Sequence, residues 1–167
     1  MIARDGEEGE LVLTTINREA MPLIRYCTGD MGRLFGGGCR CGAVSLRRLG
    51  PFLRRMDSVV RLASGAEIYP SLFDDAVYTV PDVTDYQVYL ANRDGCERLV
   101  FRVELLRERA AAEAEVAEVI LGIPQVAASI ASDSMAGPCI ELVGQGVLKS
   151  RGRAKRLILD GAAEGLS

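Results

Sequence analysis

The chain has 167 residues, 49% of them hydrophobic, and a net charge of −3; that is enough for one ordinary domain or two small ones and too acidic for general attraction to nucleic acid or an anionic membrane. It holds no histidine, which excludes His-based acid–base or nucleophilic chemistry within it. No apolar run approaches the roughly 20 residues that span a bilayer, and the polar, acidic start Met1–Glu8 is not a secretory signal, so a cytoplasmic location is the expectation.

In chain order, Glu10–Thr15 (ELVLTT) is a predicted strand. Leu23–Cys27 is a second extended run, followed by the turn-like tripeptide Thr28-Gly29-Asp30. Met31–Phe35 is another strand, closed by Gly36-Gly37-Gly38, and Val44–Leu49 is strand-like again. The character changes near Gly50-Pro51. Beyond it, Ser58–Leu62 and Glu67–Tyr69 are strands joined by a hairpin-like turn at Ala63-Ser64-Gly65. Pro70 starts a helix running to about Val80, because proline suits the first helical position. Val83–Ala91 alternates apolar and polar side chains, Asn92-Arg93-Asp94-Gly95 is a turn signal, and Arg98–Leu105 returns as its antiparallel partner. Arg107–Leu121 is a helix with Ala112, Val116, Val119 and Ile120 on one face, ended by Gly122. A shorter helix runs from Pro124 to Ala131. Ile140–Val143 and Arg156–Leu159 are strands around the loop Gly144–Lys155.

The fold class is therefore α+β, in two parts. Residues 1–54 form a β-rich piece that looks like the end of a larger domain, and 58–160 form a compact α+β unit with an antiparallel or mixed sheet and two to three helices. Residues 55–57 connect them, and 161–167 form a flexible tail. Arginines and lysines cluster in two places, Arg47–Arg61 and Lys149–Arg156. Two local basic clusters in an acidic chain suit a small anionic ligand or a solvated surface equally well.

The string Pro22-Leu23-Ile24-Arg25-Tyr26-Cys27-Thr28-Gly29-Asp30 resembles a signature of the phenylacetate–CoA ligase family, within the AMP-forming, adenylate-forming acyl-CoA synthetases. That resemblance implies that Asp30 holds the ribose hydroxyls of an adenylate, with Tyr26 and Thr28 lining the nucleotide site. Arg54-Arg55-Met56-Asp57-Ser58 resembles the family's Gly-Arg-x-Asp-Asp segment, with Arg54 and Ser58 in place of its Gly and second Asp. By the resemblance Arg55 contacts the nucleotide and Asp57 is the hinge between a large and a small domain. Gly65-Ala66-Glu67-Ile68-Tyr69-Pro70-Ser71 resembles the family's Gly-x-x-x-x-Pro-Ser segment, which implies that Gly65 lies close to the CoA thiol arm. Ser150-Arg151-Gly152-Arg153-Ala154-Lys155-Arg156 stands where the family has Gly-Lys-x-x-Arg. Arg153 occupies the position of the adenylation lysine and Lys155 follows two residues later, so the two are the catalytic candidates.

Two thiolates one residue apart can share a tetrahedral zinc ion. Some members of the resembled family bind zinc with a Cys-x-Cys at this place. Cys39 and Cys41 are accordingly expected to be half of a structural zinc site. The resemblance implies ATP or AMP with magnesium, bound through an absent N-terminal large domain, and CoA with a small carboxylic acid as substrates. The net charge gives no expectation of a nucleic-acid or membrane partner, and a homodimer stays open. The phosphate-binding loop of the family has no counterpart here, so the expected function is that of the carboxy-terminal part of an acid–CoA ligase, inactive by itself. The alternatives are a non-catalytic nucleotide- or protein-binding module and a part of an adenylating enzyme that makes no thioester.

Overall fold

The computed structural model describes residues 4–37, 41–42, 47–50, 54–93, 95–148 and 158–160. The chain divides into two compact units, Met1–Asp57 and Ser58–Ser167. Both are built as the α+β class requires: a strand-only piece and a mixed sheet with helices.

In the first unit, β1 (Glu8–Leu13) and β2 (Tyr26–Phe35) pair antiparallel. Along β2 two short strands also pair, β3 (Arg48–Leu49) at Leu34↔Leu49 and Phe35↔Arg48, and β4 (Arg54–Arg55) at Asp30↔Arg55 and Met31↔Arg54. Among the described residues no hydrophobic side chain of this unit is buried. Ile16, Met21 and Ile24 are 93%, 80% and 76% exposed. A sheet with so much apolar surface in water lacks the second layer that gives a domain its core.

The second unit begins with the hairpin β5 (Val60–Arg61) and β6 (Glu67–Ile68) and the helix α1 (Pro70–Val77), which has Pro70 in its first turn as expected. β7 (Val83–Arg93) and β8 (Cys96–Leu105) form the long antiparallel hairpin. Gly95, at φ +83, donates its N–H to Asn92 Oδ1 at 3.2 Å at the turn. Then come α2 (Ala112–Leu121), α3 (Pro124–Ala131), β9 (Met135–Val143) and β10 (Ile158–Asp160). The sheet order is β10-β7-β8-β9, with β9 parallel to β8 and β10 parallel to β7. The α2–α3 segment is the crossover that a parallel β8–β9 pair needs.

Helices α1, α2 and α3 pack on one face of this sheet. Phe73 and Val77 of α1, Val116 and Ile120 of α2 and Val126 of α3 meet Tyr86, Val88, Leu99, Phe101 and Val103 in the core. Phe73 and Phe101 stack edge-on, with ring centres 5.2 Å apart. Among the described residues, the opposite face buries Tyr89, Ala91 and Val100, with Leu159 against them. No single helix among the described residues is long and apolar enough to cross a membrane.

Several boundaries differ from the sequence expectation, each for a physical reason. Thr28-Gly29-Asp30 is no turn between strands; it lies inside β2, where the register against β1 slips between Glu10 and Val12. α2 starts at Ala112, because Arg107–Ala111 is an irregular lead-in where Arg109 makes a forked ion pair to Glu115 at 2.7 and 2.8 Å. Gly122 ends α2 in right-handed geometry, at φ −70, without the left-handed cap a glycine permits. β9 begins at Met135, well before Ile140. Pro138 has no N–H to give a ladder, and β9 tolerates it because it is an edge strand whose register shifts opposite Arg98 and Val100.

Candidate functional site

The first unit brings four sequence candidates, Thr28, Asp30, Arg55 and Asp57, together at the irregularity in β2. Gly29 sits at φ +74, where a Cβ would meet nothing closer than 3.8 Å, so its backbone conformation, not crowding, calls for glycine. With the ladder interrupted, side chains take over its hydrogen bonds. Thr28 Oγ1 donates to the Leu11 carbonyl at 2.9 Å and accepts from the Asp30 N–H at 3.0 Å, while the Gly29 N–H donates to Glu10 Oε1 at 3.2 Å. This bulge turns the strand locally and fixes Asp30.

Arg55 comes to Asp30 from β4. Its Nη1 lies 3.3 Å from Asp30 Oδ1, its Nη2 donates to the Thr28 carbonyl at 3.4 Å, and its Nε donates to Asp57 Oδ1 at 3.3 Å. Asp57 belongs to a single 3-10 turn, Met56–Ser58. Asp30 is 27% exposed and Arg55 39%. Ion pairs this wet are worth about 0–1 kcal/mol, so the trio contributes orientation more than stability. One guanidinium contact leaves a carboxylate acceptor capacity for further hydroxyl or N–H donors. Tyr26, half exposed at the start of β2, is paired with Leu13 and lies outside the Asp30–Arg55 cluster.

In the second unit Gly65 stands at the tip of the β5–β6 hairpin, at φ +83 with open space where a Cβ would be. The turn is closed by the Gly65 N–H to the Leu62 carbonyl at 2.8 Å and the Leu62 N–H to the Ala66 carbonyl at 2.9 Å. Arg153, Lys155 and Cys39 lie outside the described residues. Cys41 is exposed, and among the described residues no three His, Cys, Asp or Glu side chains gather as a metal site. The expectation of structural zinc is therefore not carried by the structure: a Cys-x-Cys pair supplies half a ligand set, and nothing described completes it.

Sequence reasoning missed a buried carboxylate, Glu104 of β8, which is 7% exposed. Its Oε2 accepts the Leu148 N–H at 3.0 Å and its Oε1 accepts the Thr84 hydroxyl at 3.3 Å. The Gly146 N–H, against the opposing effect of burial, and then the Leu148, Thr84 and Val147 donors hold its pKa below 4.5. It thus fastens the turn that leads into the basic segment 149–156. The only sequence signal is a glutamate in a strand of buried neighbours. Because the folded-state pKa is lowered, this stabilisation is complete above 4.5 and is lost as pH falls through the folded value. Denaturant titrations between pH 7 and pH 3 should show the stability advantage of the wild type over Glu104→Gln shrinking toward the acid end. A constant difference would show that the carboxylate's charge plays no part.

No family model matches the chain. It is 36% identical over 91 residues to phenylacetate–coenzyme A ligase of Thermus thermophilus, which covers 54% of this chain and 20% of that protein. It is 30% identical over 105 residues to the Pseudomonas putida enzyme of the same name, covering 62% of this chain and 23% of that protein. The matches thus span about a fifth of the length of these relatives. Among solved structures, 2-hydroxyisobutyryl-CoA ligase with its acyl-AMP superposes with a TM-score of 0.72 at 22% identity, over 96% of this chain and 34% of that one. An acyl acid amido synthetase superposes at 0.67 and 18% identity, over 98% and 32%. The fold is that of the carboxy-terminal part of adenylate-forming ligases.

Proposed function

The chain is related to the carboxy-terminal part of the phenylacetate–CoA ligases, and from that premise we propose that it supplies the ribose contact, the hinge and the small domain of an AMP-forming carboxylate–CoA ligase. The observation that carries the reading is the Asp30–Arg55–Asp57 cluster, assembled beside a bulge from two separated stretches of sequence. Asp30 accepts from the ribose hydroxyls, Arg55 holds that carboxylate and reaches the nucleotide, and Thr28 and Tyr26 border the site. Asp57, in its one-turn 3-10 segment, is the pivot about which the second unit changes pose. The uncovered apolar surface of the first unit supports a missing N-terminal large domain as its partner. That domain binds the triphosphate with magnesium and the acid.

The chemistry runs in two halves. A carboxylate oxygen attacks the α-phosphorus of ATP and pyrophosphate leaves. The CoA sulfur, having lost its proton, then attacks the acyl carbon and AMP leaves. Lys155, with Arg153 at the usual lysine position, supplies positive charge to the first half, and Gly65 lies beside the CoA arm in the second. An aryl or arylacetic acid is the proposed substrate class.

The test uses the protein isolated from its own cells with an antibody to this region. Acid-dependent ATP–pyrophosphate exchange is expected across a panel of aryl and arylacetic acids, and Lys155→Ala should lower it roughly 10²–10³-fold, as loss of a transition-state charge partner does. Arg153 in place of a lysine favours a second reading, a nucleotide-binding module without ligase activity. AMP binding with no exchange for any acid would establish it and sink the first. Exchange without thioester formation would mark an adenylating enzyme of another kind.

A further inference from the structure

The turn carrying Gly65 is exposed at Ala63, Ser64 and Gly65, yet two buried polar side chains from other elements hold it from beneath. Glu97 of β8, 7% exposed, accepts the Ala63 N–H on its Oε2 at 2.9 Å. Ser129 of α3, fully buried, lies with its Oγ 2.7 Å from Ser64 Oγ. Ser129 Oγ donates to the Gln125 carbonyl at 2.8 Å, so its single hydrogen is spent and Ser64 must be the donor to it. Ser64 Oγ in turn accepts the Ala66 N–H at 3.3 Å. The relay thus runs Ala66, Ser64, Ser129, Gln125, with each hydroxyl donating once.

A buried carboxylate is costly unless its hydrogen bonds are made, and a buried serine likewise. Hairpins of ordinary surface loops need neither. Here both groups are committed to backbone and side chain of one turn, and above that turn the glycine offers bare backbone with no atom within 4 Å of where a Cβ would stand. The combination is a rigid support under an open, side-chain-free tip, the arrangement a ligand needs to approach backbone closely.

We propose that Glu97 and Ser129 are positioning residues that preorganise the Ala63-Ser64-Gly65 turn for the pantetheine arm of CoA. This rests on the ligase reading for the identity of the ligand, but not for the mechanical claim.

Two measurements separate them. The first needs no activity: amide hydrogen exchange on the whole chain. Glu97→Ala and Ser129→Ala are expected to speed exchange at residues 63–66 at least 10-fold while β7 and β8 amides stay protected. Glu97→Gln, which keeps an acceptor oxygen, should restore most of the protection. Unchanged exchange at the turn, or equal loss of protection through β7 and β8, overturns the positioning claim. The second is kinetic, on the protein from its own cells. Glu97→Ala should raise the KM for CoA or slow CoA-dependent AMP release about 10-fold and leave acid-dependent pyrophosphate exchange within 2-fold. A turn that loosens in the exchange experiment with no selective effect on the CoA step refutes the CoA assignment. Wild-type protein active in neither half-reaction refutes the ligase reading and leaves the exchange result to decide the mechanical claim.

Discussion

Phe101→Ala should destabilise the second unit by about 3–5 kcal/mol, the range for emptying a fully buried aromatic site. Phe101 is completely buried at the middle of β8. It meets Phe73 of α1 edge-on and lies 6.2 Å, centre to centre, from the Tyr86 ring. The site has little room to collapse, because the sheet beneath it is paired on both sides by β7 and β9. A domain of this size has on the order of 5–15 kcal/mol in hand, so the variant should unfold at a far lower urea midpoint. Phe101→Leu keeps most of the volume and should lose less. An alanine variant within 1 kcal/mol of wild type would show that the helices do not pack on this face.

Asp30→Ala should leave stability almost unchanged and weaken nucleotide binding about 10- to 100-fold. The asymmetry follows from magnitudes. The exposed ion pair to Arg55 contributes at most about 1 kcal/mol to folding. Hydrogen bonds from a ligand to an ionised carboxylate are worth about 1.5–3 kcal/mol, and each 1.4 kcal/mol is tenfold in affinity. Asp30→Asn keeps one acceptor oxygen and should fall between the two. The measurement is an AMP titration of the protein from its own cells, set beside a denaturation curve of each variant. Equal AMP affinity in wild type and Asp30→Ala would remove Asp30 from the nucleotide site.

The regular elements were legible because their signals are local. The β7–β8 hairpin is written in alternation and in the Asn92–Gly95 turn, and prolines at the starts of α1 and α3 mark both helices. What escaped was set by partners far along the chain. Thr28-Gly29-Asp30 has turn composition, and only Glu10 and Leu11 across the sheet make it a bulge. Gly137-Pro138 has the look of a break, and only the edge position of β9 lets a strand run through it. For the site, Asp30 and Arg55 were singled out by resemblance alone, since nothing in their spacing announces that β2 and β4 are neighbours. Glu97 and Glu104 resemble ordinary surface glutamates until the turns they hold are seen.

The short strand β10 bears on the order in which the molecule assembles. Its three residues pair with Val88, Tyr89 and Leu90, which lie far earlier in the chain, and they do so at the rim of the sheet. Closing so long a loop costs entropy that three rungs repay poorly. The hairpin and the helical crossover can therefore collapse on a ribosome-bound chain before β10 has emerged. β10 is expected to pair last in folding and to open first, which amide exchange at Ile158–Asp160 faster than in β7 and β8 would register. Ile158 packs against the main core and Leu159 against the small cluster on the opposite face, so β10 completes a core that the other elements found.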